Sequence, residues 1–488
     1  MALNFFSRID RLIYDPIKGR VTYDLVISVF FGYLIFVIFL FFENKQINII
    51  IPLVYSLIYI LFNFTFGLYG RNRTTALPNK IFILFSSNLI SLTIVYFTLS
   101  QPFLSIFIFL INTLTSISPR FFLNFNVERT AFRKLQAKPT GDSPILIVGG
   151  GGYIGSVLVE ELLKRGKKVR VFDKFIYNKS VFKGIRNVKN LELIEGDISD
   201  IYALTLAVKD TKAIVHLAGI VGDPAAKIDE KLTRHVNIAS TRLLKETAKA
   251  FGVEKFIFAS SCSVYGLTNK LQDEKSKPKP ISLYAKTKVD SERELLSDSA
   301  DTFHPIVLRF ATVFGHSRKP RFDLVANLFT AEAYHKKNIT VYGGSQWRPF
   351  VHVRDIAKAI IMILESPNEK VSRKIFNVGD DNHNYKIEDL AKIIINVIED
   401  SRIKINLVGK RKDKRDYRVS FKKISEELGF SASITVERGI KEIYKNFQDK
   451  KYKKTYKDPF YVNSEMTKEL KREFHSKKYR KSHFSTIS

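Results

Sequence analysis

With 488 residues, 45% of them apolar and 13% aromatic, the chain has the material for two or three units with buried cores, and disorder as its organising state is excluded. Its single cysteine, Cys262, excludes an intramolecular disulfide and a cysteine-built metal cluster, and no metal site is expected. The formal net charge of +30 would suit a polyanionic partner, but the basic residues are spread along the chain, so nucleic acid is not expected.

Residues 1–22 read as a cytoplasmic N-terminal segment. Four apolar runs follow, at 25–42, 47–66, 81–99 and 103–118, each near the roughly 17–25 residues that a bilayer-crossing helix needs. The fourth is the weakest, being short and carrying Asn112, Thr113, Thr115 and Ser116. Basic residues alternate along this region: Arg8, Arg11, Lys18 and Arg20 precede the first run, Arg71, Arg73 and Lys80 separate the second and third, and Arg120, Arg129, Arg133, Lys134 and Lys138 follow the fourth. The other two connections hold only Lys45. By the positive-inside rule, 23–120 is expected to be a four-helix anchor in the lipid bilayer of an inner or cytoplasmic membrane, with both termini cytoplasmic. No small-residue cleavage site follows the first run, so a removed signal peptide is not expected. A basic linker, 121–142, leads out.

The stretch SPILIVGGGGYIGS, 143–156, reads as a strand entering a glycine turn. Gly149, Gly152 and Gly155 leave backbone N–H groups at a helix N-terminus open to a pyrophosphate; Tyr153 and Ile154 belong to the same loop. The second strand, KKVRVFD, ends in Asp173, where a carboxylate accepts both ribose hydroxyls and disfavours a 2′-phosphate, which argues for NAD. LELIEGDIS sets Asp197 and Ile198 where the adenine would lie, and AIVHLAG brings Leu217, Ala218 and Gly219 beside the cofactor. The alternation of strands and helices predicts an α/β, doubly wound parallel sheet. Asp223 in IVGDPAA is read either as a sugar contact or as a turn-forming aspartate.

KFIFASSCSVYG predicts a buried strand ending in hydroxyls. PISLYAKTKVDSERELL predicts a helix with Tyr284 and Lys288 one turn apart on one face. The ammonium, with the positive nicotinamide, is expected to lower the phenol's pKa so that Tyr284 acts as a base, with Ser261 sharing the proton. The basic loop FGHSRKPRF, with His316, Lys319 and Arg321, reads as charge beside a diphosphate, the alternative being that His316 and Lys319 are extra acid/base groups. Trp347 reads as packing.

Over 143–446 the chain resembles an extended short-chain dehydrogenase/reductase of the nucleotide-sugar epimerase and dehydratase family, on GGGGYIGS, VFD, GDI, HLAG, SSCSVYG, YAKTK and WRPFVHVRDIAKAI. The resemblance implies a Rossmann domain with a smaller C-terminal substrate subdomain and a nucleotide-sugar substrate. It further implies Ser261, Tyr284 and Lys288 as the catalytic set, with Gly149, Gly152, Gly155, Asp173 and Lys288 on NAD and Arg348 on the sugar nucleotide's diphosphate. A homodimer is left open. The membrane third is similar to the four-helix anchors of polysaccharide-biosynthesis enzymes, on FGLYGRNR and PRFFLNFNVERTAFRK.

The sequence departs from the family pattern in three places. Dehydratases of the family place Glu, or an Asp-Glu pair, just before the V-Y-G, whereas this chain has Cys262 and Ser263, so elimination of water loses its usual acid. Some family epimerases use a cysteine nearby; here Ser263 holds the equivalent slot. A one-residue shift on a strand reverses the face, so Cys262 is expected to be buried and structural. Where relatives carry Asn after the sixth strand, LRFATVFG offers Thr312 as the substrate contact. The expected function is a membrane-anchored, NAD-dependent nucleotide-sugar 4-epimerase working through a transient keto sugar in surface polysaccharide biosynthesis. A reductase or dehydratase of the same substrate class is one alternative, and a non-enzymatic NAD-binding membrane scaffold is another. The basic, aliphatic-poor stretch 447–488 is read as a C-terminal tail, either solvated or lying on an anionic membrane surface.

Overall fold

A computed structural model of the chain describes residues 142–176, 179–298, 302–409 and 413–476. The four apolar runs expected to form the anchor lie outside the described residues; within them no helix is long and apolar enough to cross a membrane.

Seven short strands carry the fold: β1 (Ile145–Val148), β2 (Val169–Asp173), β3 (Leu191–Glu195), β4 (Ala213–His216), β5 (Lys255–Ser261), β6 (His304–Phe310) and β7 (Ile375–Val378). They form one sheet in the order β3-β2-β1-β4-β5-β6-β7, every neighbouring pair parallel. Strand β1 shows why its sequence is apolar at every position. Successive side chains of a strand point to opposite faces; Ile145 and Ile147 enter one core with Leu158 and Leu162, while Leu146 and Val148 enter another with Leu204 and Phe256. A sheet covered on both faces needs continuous apolar runs, not alternating ones. Chain order reverses between β1 and β4, and that reversal opens a crevice at the carboxyl ends of the strands. The doubly wound sheet expected from the sequence is therefore present.

The smaller subdomain is also present. Strands 312–314, 347–352 and 384–386 form a three-stranded sheet, and 338–342 pairs with 404–408. Phe314, Phe329, Phe350, Leu390 and Ile440 make its core.

The C-terminal reading needs correction. The boundary at 446 falls inside the helix Val436–Gln448, and 447–476 is not a solvated tail. It continues through a short turn, Pro459–Tyr461, into the helix Asn463–Phe474. The cause is aromatic: Phe447, Tyr456 and Tyr461 are buried with Phe322, and Tyr452 and Phe460 pack alongside. A few rings of this size bury as much area as a longer aliphatic run.

Candidate active site

The carboxyl ends of β1, β2, β4 and β5 open into a cavity of about 770 Å³ that reaches across to the smaller subdomain. At its β1 edge the turn is too tight for side chains. Gly149 sits at φ +84°, and a Cβ there would lie 2.5 Å from the Ala218 backbone nitrogen; one on Gly155 would lie 2.5 Å from the Gly149 carbonyl oxygen. Only glycine lets the helix Tyr153–Lys164 start against the turn, with its N-terminus at the cavity. Ile154 lines that edge. Tyr153 also lines it, but its hydroxyl is committed elsewhere, donating to the Gly315 carbonyl at 2.7 Å and accepting from Asn327 at 3.2 Å, which ties the glycine turn to the smaller subdomain.

Asp173 ends β2 facing this turn. Its two oxygens accept from the N–H groups of Gly151 and Phe175, each at 2.8 Å, and burial raises its pKa. Each oxygen keeps a second lone pair for a ribose hydroxyl. Asp197 accepts from Ser199 and pairs with Lys174 at 2.9 Å; burial opposes its charge, but Lys174 and Ser199 outweigh it and hold the carboxyl below its ordinary value. Ile198, Leu217, Ala218 and Gly219 complete this wall. A cradle that any Cβ would fill, a carboxylate with open lone pairs and small residues opposite together fit a dinucleotide, with Gly149, Gly152, Gly155 and Asp173 placed to hold it.

Tyr284 and Lys288 share the helix Leu283–Leu296, and both reach the cavity. Ser261, at the end of β5, lies close enough to the phenol to oppose the rise in its pKa and accepts from the Ser263 N–H at 3.1 Å. The Lys288 ammonium donates to the Ala259 carbonyl at 2.7 Å and lies 5.8 Å from the centre of the Tyr284 ring; burial lowers it to about 8. The expected lowering of the phenol is not what the protein alone provides. Burial pushes Tyr284 well above its ordinary value, Asp223 adds to the rise, and Arg321, Ser261 and Arg415 oppose it without overcoming it. Desolvating a phenolate costs more than nearby cations return. The positive charge of an oxidised nicotinamide is the further contribution that would bring it down. Behind β5, the buried pair Arg309–Glu292 at 2.7 Å, with Ser260 on Glu292 and Tyr265 on Arg309, fixes the strand end that carries Ser261.

Cys262 is 1% exposed, its thiol faces the Arg309 carbonyl at 3.2 Å, and burial raises its pKa. Ser263, one residue on, lines the cavity with a buried hydroxyl that has no partner among the described residues. Cys262 is buried as expected, but the reason is not strand alternation: β5 ends at Ser261, and Cys262 and Ser263 lie in the 3-10 helix Cys262–Tyr265, whose turn sends the two side chains different ways.

Toward the smaller subdomain, Asp223 lines the cavity; one oxygen lies 3.2 Å from Arg415, and the other is buried with no hydrogen-bond partner among the described residues. Thr312 and Arg321 line it too, Arg321 pairing with Asp323 through two bonds at 2.9 and 2.7 Å. Arg348 reaches the cavity, but three of its N–H groups are engaged, by the Trp347 and Arg415 carbonyls and by Asp413 at 2.7 Å. Lys319 lies among them; burial and Arg321 lower it to about 7. His316 does not line the cavity and meets the Tyr452 hydroxyl at 3.1 Å. Trp347 packs under Arg418 and Lys386. Sequence reasoning missed Arg415, Asp413 and Tyr417. They sit in KRKDKRDYR, where nothing distinguishes an inward-facing arginine from its solvated neighbours.

A family model described as the NAD dependent epimerase/dehydratase family matches residues 145–379. The uncharacterized UDP-glucose epimerase YtcB of Bacillus subtilis is 30% identical over 240 residues, 46% of this chain and 73% of that protein. The dTDP-D-glucose 4,6-dehydratase of Mus musculus is 28% identical over 357 residues, 68% of this chain and 98% of that one. The crystal structure of UDP-glucuronic acid 4-epimerase from Bacillus cereus, in complex with UDP-glucuronic acid and NAD, superposes with a TM-score of 0.56 at 25% identity, covering 63% of this chain and 99% of the other. The matched range spans the glycine turn, Asp173 and the Tyr284 helix, which meet in one cavity: the chain is an enzyme of the NAD dependent epimerase/dehydratase family, with NAD as its cofactor.

Proposed function

We propose that this enzyme is a nucleotide-sugar 4-epimerase, anchored in a membrane with its catalytic domain in the cytoplasm, where it supplies a sugar for surface polysaccharide. The observation that carries the choice of reaction is the end of β5: the position that would present an acid for elimination presents the Ser263 hydroxyl, and Cys262 is turned into the core. Bound NAD supplies a hydride acceptor and donor. Tyr284 takes the proton of the sugar hydroxyl, relayed through Ser261, and returns it after the keto sugar has turned over. Lys288 holds the positive charge beside that proton, and Asp223 accepts from the sugar through its open oxygen. The diphosphate meets the end of the cavity where Arg321, Arg348 and Arg415 face Asp223, Asp323 and Asp413 and where Lys319, brought to about 7 by burial and Arg321, gains its charge beside an added dianion. The relatives named as UDP-sugar epimerases support this substrate class.

One observation favours a dehydratase as the second reading: Asp223 is a carboxylate close to the phenol, able in principle to move a proton in an elimination. Its 3.2 Å contact with Arg415 argues against that use, since it ties the carboxylate to the guanidinium.

Tyr284→Phe tests the assignment. Turnover on a panel of UDP- and dTDP-sugars should fall by about 10² to 10⁴, the usual contribution of a positioned acid/base, with NAD affinity nearly unchanged, and Cys262→Ser should be close to silent. Activity retained in Tyr284→Phe and lost in Cys262→Ser would move the chemistry to the thiol.

A further inference from the structure

Residues 447–476 lie beyond the matched family residues, yet they touch both sides of the cavity. At one end Tyr461 accepts from the Phe322 N–H at 3.1 Å, Phe460 lies under the Lys319 ammonium at 5.3 Å, and the Asn463 N–H meets Asp323 at 3.4 Å. These contacts grip the basic loop that faces the diphosphate end. In the middle, Asn463, Ser464, Met466, Thr467 and Leu470 line the cavity, and Leu470 and Phe474 pack against the cluster of Ile220, Ala225, Leu232 and the catalytic Tyr284. At the far end Glu473 pairs with Lys174 at 2.8 Å. The same ammonium holds Asp197 at 2.9 Å, beside the residue that ends β2, and His475 meets Asp229 at 2.7 Å.

We propose that this segment is a strap that completes the cofactor and substrate site and keeps NAD bound from one turnover to the next. Its helix runs from the diphosphate loop past Tyr284 to the adenosine wall, so a dinucleotide lying along the glycine turn leaves only when the helix lifts. The assignment of a purpose rests on the epimerase reading, in which the cofactor returns to its starting state each cycle and has no reason to depart; an enzyme with net oxidation or reduction must release it every time. The seam combines an apolar contact, which gives the strap its hold, with a half-exposed ion pair, which sets where the helix end sits.

The test is the rate at which bound NAD exchanges with radiolabelled NAD on the full-length chain. Glu473→Gln should speed exchange about 2- to 5-fold, the scale of a partly exposed ion pair. Leu470→Asp puts a charge into the apolar seam and should speed it by at least about 10-fold, with thermal melting followed on the same samples to show that the fold is kept. A chain ending at Asp449 should exchange faster still; if it fails to fold, the two point variants decide. Faster exchange in folded variants supports the strap whichever product the enzyme forms. Exchange as slow in folded Leu470→Asp as in the parent overturns it, even where the parent inverts its substrate normally.

Discussion

Lys288 carries a cost that its function explains. Burial lowers it from 10.5 to about 8, so below pH 8 the ammonium is charged in both the folded and the unfolded chain and the penalty for burying it is fully present. Between pH 8 and 10.5 the folded protein gives up the proton first, the unfolded chain binds more, and stability from this group rises with pH. Lys288→Met should therefore make the NAD-free protein more stable at pH 7 by about 1–2 kcal/mol while abolishing turnover, as expected where function is held against stability. The gain should shrink toward pH 10. A variant no more stable at pH 7 would mean that the hydrogen bond to the Ala259 carbonyl already offsets the burial. Tyr284, Lys288 and Ser261 were legible in the sequence because a helical spacing and a strand end place them together. The direction of the Tyr284 shift was not legible, since it depends on how deeply the ring is buried and on Arg321, Asp223 and Arg415 arriving from three separate segments.

Among the elements, the glycine turn was the most readable. A strand, a turn without side chains and a helix point to a dinucleotide once Asp173 follows at the right distance, and the close approaches at Gly149 and Gly155 show that the turn admits no side chain there. Gly155→Ala should force the helix Tyr153–Lys164 away from the turn, costing about 1–3 kcal/mol of stability as overpacking does, and should weaken NAD more than Tyr284→Phe does; paired thermal melts and NAD titrations measure both. Unchanged NAD affinity in Gly155→Ala would remove the turn from the cofactor site. The C-terminal helix was the least readable element. Its sequence, NSEMTKELKREF, is half charged, and what seats it is a pair of side chains, Leu470 and Phe474, meeting Ile220, Ala225 and Leu232, more than two hundred residues earlier in the chain. Local composition carries no trace of such a partner.

At the scale of the molecule, the doubly wound parallel sheet followed from the alternation of strands and helices, because each step of that alternation is local, whereas the smaller subdomain was legible only through the family resemblance. How the substrate end is built did not follow, since Asp223, Arg321, Arg348 and Arg415 come from four loops and strands whose meeting is a property of the whole fold. The proposed anchor makes a separate prediction from loop charge: reporters fused after Arg20, Arg73 and Ser488 should read cytoplasmic and one at Lys45 should read outside, and an external C-terminus would contradict the topology. The central claim is that Tyr284 and bound NAD invert one sugar carbon without net redox change. The most direct measurement uses a nucleotide sugar deuterated at C4, turned over in ordinary water and followed by NMR. The account predicts the C4 epimer with its deuterium still on C4, no solvent hydrogen at C5 and no accumulation of NADH. Deuterium moved to C6 with loss of water, or NADH formed in step with product, would contradict it.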